Sequence, residues 1–480
     1  MKLKNLSLAC AAALLSGQVF AHPPGTATTI PPIYISGASA QDKALAALVS
    51  DLCVAGTLDT FKDGVPASGK GYTSYFCTID STKVDGMDTD QVVLISKRSA
   101  GGSGKGVQVV ADAVAIEAMN INNGNCSDAN ADHVWDCDIS GGVGSGDLIM
   151  QVSTAGISDV EPAMFTGPNV PPGDSAVTPS QIGKLDISTM NAVVFGVPVT
   201  ENLYRALQIA QGLDSTSVDK DNEANMPSLT SAQVNGIITG NIKKWSDLVI
   251  GTIPLTSYPG VTPPTFDFFP PNNNNPLVHI CRRVPGSGTQ SQMNAVFANS
   301  PCAAGVQQTA LAPGNPATGP LVTEGEGSGN VDSCMVAANT ANKWAVGVQS
   351  LEKVNAAYRF VKIDGVAPTV QNVAENKYKD WVETSIQWRN VANGGPAVGS
   401  DTLDLLNTIA KNASTPGTIA TLNTAFIHGF GTGAYLALNT NGHVPSYPHD
   451  DANPVTTATH APLGIPNTCN PPVVNVKSEL

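Results

Sequence analysis

Three stretches of the chain repeat one grammar: a short apolar strand, a turn of small residues, and a run with helical spacing. In the first, Ile33-Tyr34-Ile35 leads through Ser36-Gly37-Ala38-Ser39 into Leu45, Leu48, Val49 and Leu52, spaced i, i+3, i+4, i+7. In the second, Val92-Val93-Leu94-Ile95 leads through a turn, Arg98 to Gly106, into Val107, Val110, Ala111 and Val114. The third runs from Leu277-Val278-His279-Ile280 through Arg282-Arg283-Val284-Pro285-Gly286-Ser287-Gly288-Thr289 into Met293, Val296 and Phe297. Repeated strand–turn–helix units predict an α/β fold with largely parallel sheets, because parallel neighbours need a crossover and a helix is the common one.

The turns themselves point to an anion. A helix N-terminus carries unpaired N–H groups and partial positive charge, glycines let the backbone come close, and Ser or Thr hydroxyls add donors. Arg283 in the third turn can add a bidentate pair to an oxyanion. A Gly/Ser turn alone also serves as a plain connector; three in one chain, one with an arginine, favour the anion. Sharper motifs fail. Ser99 and Gly106 break the nucleotide P-loop pattern around Gly104-Lys105, and no G-x-S-x-G elbow occurs. Asp128, Asn130 and Asp132 begin like a calcium loop, but His133 and Ile139 stand at its glycine and glutamate positions. His443, His449 and His460 lack metal-ligand spacing, so no metal and no cofactor is expected.

Composition narrows the setting. The chain has 480 residues with 25 basic and 39 acidic, a net charge of −14, which disfavours nucleic acid and anionic lipid as partners. Lys2 and Lys4, the apolar Leu6 to Leu15 and the small-residue site Val19-Phe20-Ala21 read as a signal peptide over 1–21, cleaved after Ala21. Its loss removes two lysines and leaves −16. No other run is long and apolar enough for a membrane span, so a secreted or periplasmic chain, a monomer, is expected. Beyond Cys10, eight cysteines remain, an even number that suits disulfides in an exported protein. Pairing of near neighbours is expected: Cys53 with Cys77, Cys126 with Cys137, Cys281 with Cys302, and then Cys334 with Cys469.

In order along the chain, these motifs resemble the periplasmic phosphate-binding proteins of ABC transporters, of the type II periplasmic-binding-protein fold. Ser36 to Ser39 resembles that family's first anion turn, Ser99 to Gly106 its second, and Gly156-Ile157-Ser158-Asp159 its Ser-Asp segment. Thr230 to Gln233 followed by Lys244-Trp245-Ser246-Asp247 is similar to its helix and Trp turn, Arg283 to Thr289 to its Arg-x-x-Gly-Ser-Gly-Thr loop, and Val361 to Thr369 to the segment before its closing strands. The resemblance spans about 33–390. It implies two α/β lobes joined by two crossovers around a ligand cleft, lobe one at 28–195 and 344–480 and lobe two at 196–343.

The ligand contacts implied are Ala38, Ser39, Ser99, Ser103, Asp159, Arg283, Ser287, Gly288 and Thr289. Asp159 has a separate role, since a carboxylate repels an anion unless that anion keeps a proton to donate; hydrogen phosphate does and sulfate does not. The alternative for Asp159 is a helix N-cap ahead of Glu161-Pro162. The chain departs from the family at Pro285, where an acidic partner of the arginine commonly stands, and in extra length at 53–140, 161–186, 259–276 and beyond 395. The expected function is capture of phosphate or a similar tetrahedral oxyanion without catalysis, with an ABC permease as partner. A secreted surface or interaction protein that retains the fold with a drifted cleft is the alternative.

Overall fold

The computed structural model describes residues 27–64, 71–264, 276–302, 314, 319–375, 377–390, 392, 398–437 and 469. The expected signal peptide, Asn272 to Asn275, His443, His449 and His460 lie outside them. The chain is α/β, built on two main sheets. All three strand–turn–helix units form as read. Strand Ile33–Gly37 precedes helix Asp42–Leu52, Gln91–Arg98 precedes Gly102–Ala111, and His279–Arg283 precedes Gly288–Ala298. The helical stripes are buried at Leu45, Leu48, Val49 and Leu52, at Val107 and Val110, and at Met293 and Phe297; Val114 lies past its helix and is exposed.

The larger sheet has eleven strands. At its centre Ile33–Gly37 runs parallel to Gln91–Arg98 on one side and Ala155–Ser158 on the other. Outward it turns antiparallel: Tyr72–Ile79 pairs with Gln91–Arg98, and Trp381–Arg389 pairs with both Ala155–Ser158 and Leu185–Gly196. Parallel pairing returns near the far edge, between Asp59–Asp63 and Val134–Cys137, so the expectation of largely parallel sheets holds at the centre and there, while Tyr72–Ile79 and Trp381–Arg389 join antiparallel. Helices Asp42–Leu52 and Ser400–Ala413 share the core on one face, and Gly102–Ala111 and Pro416–Asn423 share that on the other. A separate small core around Phe61, Tyr72, Phe76 and Met119 supports the inserted region.

The smaller sheet has five strands, with His279–Arg283 parallel to Leu321–Gly325 and Ala345–Gly347. Its core includes Trp245, whose indole N–H donates to the Trp344 carbonyl at 3.1 Å. The strand pairing runs past the expected division at 343/344. Ala345–Gly347 and Tyr358–Phe360 belong to the smaller sheet, while Gln349–Ser350 and Trp381–Arg389 belong to the larger. The chain thus passes between the sheets at 196–198, 347–349, 350–358 and 360–381, four times and not twice.

Cys53–Cys77 and Cys126–Cys137 pair as expected. The other two expectations are corrected: Cys281 pairs with Cys334 and Cys302 with Cys469. Cys281 points from its strand onto helix Ser328–Thr340, which crosses that sheet, so the partner is set by packing and not by chain distance. Replacing Cys281 and Cys334 together by Ser should lower unfolding stability by about 2–5 kcal/mol in a denaturant titration. Peptide mapping without reductant should recover the 281–334 link in the parent protein.

Candidate functional site

The site assembles where parallel strands end. Ser39 follows the end of Ile33–Gly37, Ser99 that of Gln91–Arg98 and Asp159 that of Ala155–Ser158, all in the larger sheet; Arg283 is the last residue of its strand in the smaller one. Carboxyl ends of parallel strands are where open α/β sheets gather ligand loops, because the chain must turn there into its crossover. Here two sheets present such ends to each other.

Arg283 is wholly buried and joins the two sides. Its Nη1 donates to Ser39 Oγ at 2.8 Å, Nε to the Gly325 carbonyl at 3.2 Å and Nη2 to the Glu326 carbonyl at 2.6 Å. The two carbonyls orient the guanidinium, the task an acidic residue at position 285 would have had. Burial pulls the group down to about 10, while Asp159, Asp42 and Glu326 favour its charged form. Ser39 Oγ also accepts the Ser328 backbone N–H at 3.3 Å. Having accepted twice, that hydroxyl has its own proton left to donate.

Asp159 is buried, and neither carboxylate oxygen has a hydrogen-bond partner among the described residues. Its backbone N–H donates to Ser103 Oγ at 3.0 Å. Burial pushes the carboxyl up to about 7; Arg283 and Lys97 pull the other way, and the Ser103 hydroxyl, beside it but outside hydrogen-bond geometry, does so weakly. Asp159 is not a helix cap, since the short turn that follows, Pro162–Met164, starts from Glu161. Thr289 Oγ1 is likewise buried without a partner. Buried polar atoms without partners are costly, and among the described residues both Asp380 carboxylate oxygens and Glu383 Oε1 share that state with these three.

Two charged residues belong here that the motifs did not name. Lys97 is fully buried; its Nζ donates to the Gly37 carbonyl at 2.9 Å and Ser99 Oγ at 2.8 Å and lies 3.2 Å from Asp42 Oδ1. Ser99 Oγ in turn donates to the Asp42 carboxylate at 2.8 Å. Burial lowers the Lys97 ammonium, against Asp42 and Asp159, which favour its charge. A signal existed: Lys97 has the same strand parity as Val93 and Ile95, both fully buried, so a cation on that stripe needed a polar reason.

The facing turns touch directly. Gly104 N–H donates to the Gly286 carbonyl at 2.8 Å. A Cβ at Gly288 would stand 2.5 Å from Ser103 Oγ, and one at Gly102 2.7 Å from Ser287 Cα, so both positions need glycine for this approach. The structure therefore brings Ser39 onto Arg283, and Ser103 and Gly288 onto Asp159, with Arg283 near enough to Asp159 to favour its charge. Others have different occupations. The Ala38 N–H donates to the Ile157 carbonyl at 2.9 Å, Ser99 is held by Asp42 and Lys97, and Ser287 Oγ caps its helix by accepting the Gln290 N–H.

No family model matches the chain, and no curated protein does. Among solved structures, it is similar to a phosphate-bound substrate-binding protein from Clostridium perfringens, at 15% identity over 82% of this chain and 98% of that one, TM-score 0.42. It is also similar to an ABC-type phosphate transport receptor from Vibrio cholerae, at 13% identity over 83% and 99%, TM-score 0.38, and to PstS from Borrelia burgdorferi, at 9% over 83% and 98%, TM-score 0.34.

Three buried carboxyls are held above their ordinary range by desolvation: Asp159 and Asp380 up to about 7, and Glu383 up to about 9. The folded state then holds more protons than the unfolded state between about pH 4 and pH 9, so stability falls as pH rises through that window. Two groups depressed by burial act in the opposite sense, Lys97 and His428, the latter lowered to about 4 and so opposing only below about pH 6.5; the three carboxyls outweigh them. The ligand-free protein should melt at progressively lower temperature from pH 5 to pH 9, and Asp380→Asn should flatten the slope. Gly288→Ala should cost about 1–3 kcal/mol in denaturant unfolding by forcing the facing turns apart.

Proposed function

We propose that this is a solute-binding protein that captures hydrogen phosphate, or a similar tetrahedral oxyanion that keeps a proton, between the two sheets and does no chemistry on it. The observation that carries this reading is the buried Asp159 carboxylate, unpartnered and near enough to the buried Arg283 for each to act on the other's charge, with Gly288 against it and the unpartnered Thr289 Oγ1 on the next residue. A protonated oxyanion suits each of them. Its O–H donates to the Asp159 carboxylate, while its oxygens accept from Thr289, from the Ser39 proton and from the remaining Arg283 N–H groups. A fully deprotonated anion would set oxygen against an ionised Asp159 with nothing between them.

In this reading the parts built on the larger and smaller sheets are the two lobes, with the smaller-sheet lobe reaching to about residue 380, and opening between them admits the ligand. The four disulfides fit an exported chain working outside the cytoplasm, as a monomer that hands its anion to an ABC permease. One observation favours the alternative, an exported interaction protein with a drifted cleft: Arg283 already has all three nitrogens bonded within the chain and the Gly104 and Gly286 backbones meet. Isothermal titration of the purified protein separates the two. Phosphate should bind with measurable heat, and Arg283→Ala should weaken that binding by about 2–5 kcal/mol, the cost of removing one partner of a buried charge pair. Absence of heat with phosphate and arsenate alike would leave the drifted cleft as the better account.

A further inference from the structure

The stretch 161–186, part of the length that the resemblance leaves over, has its roots on the larger-sheet side. Asp174 pairs with Lys105 at 2.7 Å, and the Ser175 carbonyl accepts from Gln108 Nε2 at 2.7 Å. Gln181 and Lys184 donate to the Asp112 carboxylate at 2.6 and 2.8 Å. Lys105, Gln108 and Asp112 stand at i, i+3, i+7, so one face of helix Gly102–Ala111 and its C-terminal cap takes all four contacts. Beneath them Met164, Phe165 and Val177 join the apolar core of Val107 and Val110. The Val177 N–H donates to the Phe165 carbonyl at 2.9 Å, which draws the two ends of the loop 166–176 together.

The tip of that loop lies against the other side. A Cβ at Gly286 would stand 2.7 Å from Pro171 Cγ, so Pro171 rests on the turn that follows Arg283. Three buried amides then run in one line. Gln290 Nε2 donates to Asn294 Oδ1 at 3.0 Å, Asn294 Nδ2 to Asn169 Oδ1 at 2.8 Å, and Asn169 Nδ2 to the Met164 carbonyl at 2.9 Å. The line begins on the residue after Thr289 and ends at the root of the loop. Apolar side chains of the same size would hold a permanently closed seam at least as well, because each buried amide must first give up its water. Amides suit a seam that parts, since water replaces each partner when it does. The rest of helix Gly288–Ala298 agrees: Gln290, Ser291, Gln292 and Asn294 are buried although polar, whereas a helix covered on every side for good is ordinarily apolar all round.

We propose that the loop 166–176 is a strap that holds the helix carrying Thr289 against the larger-sheet side, with the Asn169–Asn294 bond as its clasp, and that it sets how slowly a captured anion is released. The inference rests on the oxyanion reading above and adds retention to that same site. Opening the cleft must break the clasp, and release follows opening. Entry of an anion into a cleft already open does not involve it. Asn169 and Asn294 are accordingly positioning residues that act on dissociation, through the helix and not through the ligand.

Association of labelled inorganic phosphate with the full chain, and its release on a chase of unlabelled phosphate, test the proposal. Asn169→Ala and Asn294→Ala should each release phosphate about tenfold faster, as expected where a buried amide loses its partner. Their association rates should stay within about twofold of the parent, a split that mere loss of stability would not produce. The double variant should release little faster than either single one, because both break the same bond. In the ligand-free chain, Asn169→Ala should also speed amide hydrogen exchange in Gly288–Ala298 and leave Asp42–Leu52 unchanged. Release at the parent's rate from both single variants, or unchanged exchange in Gly288–Ala298, would overturn the strap and leave the phosphate reading standing. A parent protein that binds no phosphate would overturn both.

Discussion

Arg283 holds the two halves of the molecule to one another. It ends a strand of the smaller sheet, is fixed there by the carbonyls of Gly325 and Glu326, and reaches across to Ser39, at the first turn of the larger sheet. A guanidinium out of water must place its N–H groups, and the low surrounding dielectric makes each of those bonds directional and costly to lose. The rest of the site is arranged around that requirement. The serine that accepts from it is also approached by Ser328, the glycines at 102, 104, 286 and 288 let the two turns meet, and Asp159 and Lys97 complete the local charge balance.

A strongly acidic chain is no bar to the small anion proposed for it. Its net charge of −14 is spread over 480 residues and screened by solvent. Around Asp159 the field comes from a few nearby groups, and there the cations Arg283 and Lys97 are buried. The overall sign matters for polyanions that contact wide surfaces, and much less for a single oxyanion enclosed between two turns.

Much of this was legible from residue patterns. The strand–turn–helix units were set by apolar spacing, and their order placed Ser39, Ser103, Asp159, Arg283 and Thr289 on elements whose ends converge. What escaped had a physical cause in each case. Lys97 lies in a strand whose apolar neighbours dominate its pattern, and its partner Asp42 stands in the first turn of a helix, where an acidic residue is ordinary. The backbone carbonyls that orient Arg283 in place of an acidic residue carry no sequence signature at all. Ala38 and Ser287 were drawn into hydrogen bonds with the Ile157 carbonyl and the Gln290 N–H, which only the folded register reveals. Cys281 found Cys334 because a helix lies over its strand, a contact that spacing along the chain does not encode. The extra passages between sheets reflect strands Ala345–Gly347 and Tyr358–Phe360, too short for any periodicity to assign.

The proposed anion site requires the unpartnered oxygens of Asp159 and Thr289 and the buried Arg283 to face one ligand. A crystal structure of the protein grown with phosphate tests it most directly. A tetrahedral anion is expected between the two sheets, one oxygen within hydrogen-bond distance of an Asp159 carboxylate oxygen, another at Thr289 Oγ1 and a third at the Arg283 guanidinium. A phosphate bound elsewhere, with Asp159 turned away from Arg283 and Thr289, would contradict it.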